Sequence, residues 1–207
     1  MRFMNIFQAI VAHDLDRLAA LLAGGADPNA ARENHPRWTP LHAAIEELEV
    51  GGSVGAIVLL LRYGAVPDSW DADHDSTPLL MSVFRQQAEA TRLLLVAGAN
   101  PNVTGAEGDT PLRWCVELRD HDTAAMLLRC GASQSIDSTG GPSGMSALGR
   151  AASQLDLRMI ELLLAAGANP AAVDADLRTA MQRLPPRTQE NKAHYDAIAR
   201  RLGRADT

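Results

Sequence analysis

The sequence predicts an all-α chain, a solenoid of helix-turn-helix units joined by short β-hairpin or turn connections. Three observations carry that prediction. Gly-Ala recurs at Gly25, Gly64, Gly98, Gly131 and Gly167, in steps of 39, 34, 33 and 36 residues. A second signal runs in phase: Thr39-Pro40-Leu41, Thr77-Pro78-Leu79 and Thr110-Pro111-Leu112, then the weaker Ser146-Ala147-Leu148 and Thr179-Ala180-Met181. From Thr77 to Gly98, Thr110 to Gly131 and Ser146 to Gly167 the offset is 21 residues each time, and a fixed period of this kind marks a stacked array. Third, only 4% of the chain is aromatic. The core is therefore Leu, Ala, Val, Ile and Met, which suits helix packing better than a β-sandwich.

Each marker has a physical job. The Thr hydroxyl caps a helix whose first position is proline, where a missing N–H costs nothing. Glycine after a leucine-rich run takes the left-handed conformation that stops a helix. Between them lie two short apolar helices, as in Ala124-Ala125-Met126-Leu127-Leu128 and Ile160-Glu161-Leu162-Leu163-Leu164. Neither is long enough to persist alone in water, so stability must come from neighbours pressed side by side.

In order, the reading gives one domain over residues 1–207 with six units. Unit one (1–34) is an N-terminal cap: Met4-Asn5-Ile6-Phe7 replaces the Thr-Pro-Leu entry, and Phe3, Ile6, Phe7, Ile10 and Val11 fall at helical spacing. That pattern favours an amphipathic helix over a signal peptide, since Asn5 and Gln8 interrupt the apolar run. Unit two (35–72) has 25 residues from Thr39 to Gly64, so four are added within Glu46 to Ser53, read as an acidic loop. Units three (73–105) and four (106–141) keep the 21-residue offset, although the connection from Gly64 to Thr77, at 13 residues against 12, is one of three enlarged hairpins. Unit five (142–174) follows the longest connection, Gln134 to Met145, whose Ser and Gly content predicts mobility. Unit six (175–207) is a C-terminal cap, interrupted at Pro185-Pro186 and closed by a polar helix through Tyr195, Ile198 and Leu202.

Thr39-Pro40-Leu41-His42-Ala43-Ala44 resembles the ankyrin-repeat signature, a unit of about 33 residues. Gly25-Ala26-Asp27-Pro28-Asn29 and Gly98-Ala99-Asn100-Pro101-Asn102 resemble the family's segment leading into the hairpin, and Gly108 and Gly144 its hairpin glycine. The resemblance covers essentially the whole chain. It implies a concave groove formed by hairpin tips and first helices. Alignment on the capping Thr or Ser places Arg37, Trp38, Trp70, Asp73, His74, Glu107, Asp109 and Met145 at hairpins. The same alignment places Glu46, Phe84, Arg85, Glu117, Leu118 and Gln154 on first helices. Rigid aromatic and Arg anchors are what binding hot spots favour. Trp70 either presents to a partner or folds back on the next hairpin; Trp38 has the same two readings; Trp114 is assigned to the core. Asp68, Asp71, Asp73, Asp75, Glu107 and Asp109 either steer a basic partner or simply keep hairpin tips solvated.

The expected function is a non-catalytic scaffold that binds a partner protein, with a dedicated inhibitor or immunity protein as the alternative. A net charge of −6 argues against nucleic acid, and no run approaches the length of a membrane span. Two cysteines, Cys115 and Cys130, imply no disulfide framework and a cytoplasmic setting. Arg and Ala richness with a single lysine, Lys192, suggests a bacterial source. A monomer without cofactor or metal is expected. Asp71-Ala72-Asp73-His74-Asp75 begins like a calcium loop, but Ser76 and Ser82 stand where that loop needs Gly and Glu. The six histidines lack ligand spacing, no GxSxG or P-loop occurs, and His42 is read as bonded within its own turn.

Overall fold

The computed structural model describes residues 5–34, 36–71, 73, 76–141 and 143–203. They form two compact units, one ending at Asn100 and one beginning at Pro101.

The first unit holds three helix pairs. Helices α1 (Ile6–Val11) and α2 (Leu15–Ala23) are followed by α3 (Pro40–Glu47) and α4 (Val54–Arg62), then α5 (Pro78–Phe84) and α6 (Ala88–Val96). First helices pack on first helices, α1 on α3 and α3 on α5, and second on second, α2 on α4 and α4 on α6. Leu18, Ile45, Ile57, Leu60, Leu79 and Leu94 are fully buried between them. Asn5 opens α1 with a reciprocal cap, its side chain accepting from the Gln8 N–H while Gln8 accepts from Asn5. The four added residues of the second pair do not form a loop. Leu48–Val50 makes a 3-10 turn that continues α3, and Gly51, at φ 95°, ends it.

The second unit holds α7 (Pro111–Leu118), α8 (His121–Arg129), α9 (Ala147–Ser153) and α10 (Leu157–Ala165). A 3-10 turn, Met181–Arg183, replaces the first helix of the last pair, and α11 (Lys192–Gly203) closes the unit. Here α7 packs on α9, α8 on α10, and α10 on α11, burying Leu112, Leu127, Leu148, Met159, Ile160 and Leu163. Pro185-Pro186 and the short turn before it explain the missing helix, because proline bars helical continuation.

The repeat markers act as their chemistry requires. Thr77, Thr110 and Ser146 cap α5, α7 and α9 through the N–H three residues on, at 3.3, 3.3 and 3.1 Å. Gly25, Gly64, Gly98, Gly131 and Gly167 have φ between 89° and 96°, and a Cβ at any of them would meet open space. Conformation rather than room selects glycine there. The Asn of the hairpin lead-in ties one pair to the next. Asn29 donates to the Gly64 carbonyl at 3.1 Å and accepts from the Val66 N–H at 2.8 Å. Asn102 does the same with Gly131 and Ser135 at 2.9 and 3.0 Å.

The described part of the connection from Gln134 to Met145 is more ordered than its composition predicts. Ala132–Ser135 forms a 3-10 turn, Ile136 is buried, and Thr139 pairs with Ser146 in an isolated antiparallel bridge. Ile136 supplies the apolar anchor that serine and glycine lack.

Candidate functional site

The second unit carries a cleft of about 180 Å³ lined by Asp109, Arg113, Trp114, Glu117, Gly141, Ser143 and Arg150. Helix α7 positions three of these: Arg113, Trp114 and Glu117. Arg150 reaches in from α9, and Gly141 and Ser143 come from the connection between the pairs.

Local chain geometry builds the cleft. The turn at Gly105–Gly108 closes through the Gly108 N–H and Gly105 carbonyl at 3.0 Å, and the Gly105 N–H then meets the Asp109 carbonyl at 2.8 Å. Asp109 thereby sits at the mouth of α7, where its Oδ2 accepts the Trp114 indole N–H at 2.5 Å. The second hairpin lies against the first through the Gly141 N–H and Glu107 carbonyl at 2.7 Å. Gly140 makes that approach possible, since a Cβ there would collide with the Gly108 carbonyl. Gly140-Gly141 is the close contact between two hairpins, and it lets the Gly140 carbonyl accept from Arg113 Nη1.

Charge in the cleft is paired across α7 and α9. Arg150 Nη2 donates to Glu117 Oε1 at 2.5 Å. Burial pulls the Arg113 guanidinium below its ordinary value, Asp109 and Glu117 oppose that, and Arg150 adds like-charge repulsion. Arg113 is 9% exposed.

The other site residues read from sequence are placed as follows. On the first unit, Arg85 bridges Glu46 at 2.8 Å and Glu49 at 3.2 Å, with its guanidinium 5.9 Å from the Phe84 ring centroid. Burial raises the Glu46 carboxyl above its usual value while Arg85 pulls it back. Phe84 is 49% exposed. The Arg37 N–H donates to Asp73 Oδ2 at 3.3 Å. Trp38 is half-buried against the core of this unit, and Trp70 is half-buried. His74 and Asp75 lie outside the described residues. On the second unit, Glu107 is exposed, whereas Leu118 and Met145 are half-buried.

Three placements differ from the sequence reading. Trp114 is half-buried and lines the cleft rather than filling the core; its indole N–H requires an acceptor, which Asp109 supplies. Asp71 is buried at 5% exposure, so it does not display charge at a hairpin tip. Asp68 is committed to the Asn100 N–H at 2.8 Å. Sequence reasoning missed Arg113, Arg150, Gly141 and Ser143. A signal existed for Arg113: three residues after the capping hydroxyl the other units carry His42, Leu80, Gly149 and Gln182, and only this unit carries a fixed charge.

Burial pushes the Cys115 thiol far up, away from nucleophilic range. Among the described residues, no three His, Cys, Asp or Glu side chains group to hold a metal ion, and no helix is long and apolar enough to cross a membrane.

Comparison with known proteins agrees with the repeat. Mouse Rabankyrin-5 is 30% identical over 104 residues, which cover 45% of this chain and 9% of that protein. The chain thus spans less than two thirds of the curated relatives it matches. Among solved structures, an ankyrin repeat domain from Acinetobacter baumannii AYE superposes with a TM-score of 0.79 at 23% identity, over 97% of each chain. A chain in the complex of the Bd0816 predatory endopeptidase from Bdellovibrio bacteriovorus with immunity protein Bd3460 gives 0.71 at 22% identity, over 99% of each. The family model for ankyrin repeats matches three times, at residues 6–104, 52–138 and 81–174. With that match over most of its length, and with the capped helix pairs that produce it, the chain belongs to the ankyrin-repeat family.

Proposed function

We propose that this chain is a non-catalytic scaffold that binds a partner protein through its first helices and hairpin tips. One observation carries the reading. On α5, Leu79, Leu80, Met81 and Val83 are buried, yet Phe84 stands 49% exposed beside the Arg85–Glu46–Glu49 ion pairs. A large aromatic that folding does not need, next to an ordered guanidinium, has the composition of a binding hot spot. Trp70, Trp38 and Arg37 belong to the proposed surface of this unit, and Glu107, Leu118 and Met145 to a proposed surface on the other unit taken by itself. Cytoplasmic action as a monomer, without cofactor or nucleic acid, is part of this reading.

A second reading makes the chain a dedicated inhibitor or immunity protein. It draws on the fold shared with a chain of the endopeptidase–immunity complex and on the net charge of −6, which would steer a basic enzyme.

One experiment tests both. The chain captures its partner from lysate of its source cells, and the Trp70→Ala/Phe84→Ala double variant is expected to lose about tenfold or more in affinity, the scale of one or two hot-spot contacts. Thermal unfolding should barely move. Undiminished capture removes the assigned surface. Assaying the recovered partner with and without the chain then selects between tethering and inhibition.

A further inference from the structure

Three positions of the first helix pair carry large apolar residues whose counterparts in the following pairs are buried. Two residues after the cap of α1 stands Phe7, against Leu41, Leu79, Leu112 and Leu148 in the same register. Six residues after that cap stands Val11, against Ile45, Val83, Val116 and Ala152. Four residues before the stop glycine stands Leu21, against Leu60, Leu94, Leu127 and Leu163. All of these counterparts are at most 2% exposed. Phe7 and Leu21 are only half-buried, and Val11 is 52% exposed. Packing accounts for the contrast. Helices α3 and α5 each receive the first helix before them, α1 and α3 in turn. The other side of α1 and α2 is an open groove of about 1000 Å³, and Phe7, Val11 and Leu21 line it.

A terminal repeat needs a polar outer face to stay soluble alone. Helix α11 of the second unit follows that rule: it buries Ile198 and Leu202 and leaves Lys192, His194 and Arg200 exposed. The first pair does not, and apolar surface of this kind marks a contact site.

Two arrangements would cover the groove with another copy of the chain. Head-to-tail stacking would set it against α11, whose charged groups would lose water and gain no partner from Phe7, Val11 or Leu21. Face-to-face pairing sets the groove against itself, apolar on apolar. The rim suits the second arrangement, because Arg32 lies there with Asp27 and Glu33. A two-fold axis then brings both signs of charge to each side, and such an isologous contact closes at two copies.

We propose that this groove is the contact between two copies of the chain, paired about a two-fold axis with Phe7, Val11 and Leu21 of each at its centre. Few large side chains take part, so the pair belongs with small, weak interfaces. The dilute chain acts as a monomer, and pairing follows as concentration rises. Among the described residues, none assigned to partner binding lines the groove, so this inference goes beyond the function proposed above and stands or falls without it.

Sedimentation equilibrium of the full chain, from about 1 µM to about 1 mM, tests the pairing over the range of weak affinities. The mass is expected to rise from one chain to two and to stop there. Val11→Lys and Ala12→Arg each place a charge at an exposed position of the groove. Each is expected to weaken pairing at least about tenfold, with thermal unfolding of the dilute protein unchanged. Phe84→Ala, outside the groove, should leave pairing as it is. A single chain at every concentration overturns the proposal in favour of a different protein as occupant. Growth beyond two copies overturns it in favour of head-to-tail stacking. Pairing that survives the charged variants, or that Phe84→Ala abolishes, overturns it by placing the contact elsewhere. If one charged variant fails to fold, the other decides.

Discussion

His42 shows how one residue can couple a repeat signature to pH. It is fully buried, and Thr39 Oγ1 lies 2.8 Å from its Nδ1 while Nε2 lies 3.3 Å from the Ser76 carbonyl. A carbonyl only accepts, so Nε2 carries the proton and Nδ1 accepts from the Thr39 hydroxyl. The Thr39 hydroxyl is turned to His42, and Thr39, alone among the Thr-Pro entries, makes no side-chain cap to a backbone N–H of its helix. Burial depresses the imidazole from 6.5 to about 4, against the opposing pull of Asp71 and the Ser76 carbonyl. The unfolded chain therefore binds a proton between those values that the folded chain refuses. Stability is full above about pH 6.5 and falls as pH drops toward 4. Urea unfolding is expected to lose about 2 kcal/mol between pH 7 and pH 5, by proton linkage at this one site. His42→Gln should flatten that slope, and an unchanged slope would show that another group titrates. The bond between His42 and its turn was legible in the sequence; the tautomer was not, because Ser76 is 34 residues away.

At the scale of elements, the entries to first helices were legible and the entries to second helices were not. Asp14, Asp120 and Asp156 cap α2, α8 and α10, preceded by His13, Arg119 and Leu155 at φ between 54° and 56°. Non-glycine residues in the left-handed region carry no visible signature, whereas a Thr-Pro pair does. Asp156 does two things. It caps the Met159 N–H at 3.0 Å and meets His121 Nε2 at 2.8 Å while 7% exposed. Asp120 caps the Thr123 N–H at 3.0 Å. Asp120→Ala is expected to cost about 1 kcal/mol, the worth of a cap. Asp156→Ala should cost more, up to about 2 kcal/mol, since it also strips a half-buried imidazole of its partner. Equal losses in denaturant titrations would mean that the His121 contact contributes nothing.

At the scale of the whole molecule, stability belongs to contacts between helix pairs. The helices run from 6 to 12 residues, too short to persist singly. Leu127→Ala, at a fully buried position, is expected to cost about 2–5 kcal/mol, while Val96→Ala, at 83% exposure, should stay within about 0.5 kcal/mol. Calorimetry on both variants checks the contrast. The sequence by itself determined the repeat, its phase and the family, because caps, stop glycines and apolar runs are local and recur at a fixed offset. Alignment on the capping Thr or Ser, with the groove that the family resemblance implies, put Phe84 and Arg85 on a first helix, where Phe84 is exposed and Arg85 half-buried. Only the tertiary structure decided that Asp71 is buried, that Trp114 and Arg113 line a cleft with Arg150, and that Gly140 is required for two hairpins to touch. Those facts depend on backbones brought together from distant positions, and the one-dimensional period is silent about which neighbour each side chain meets.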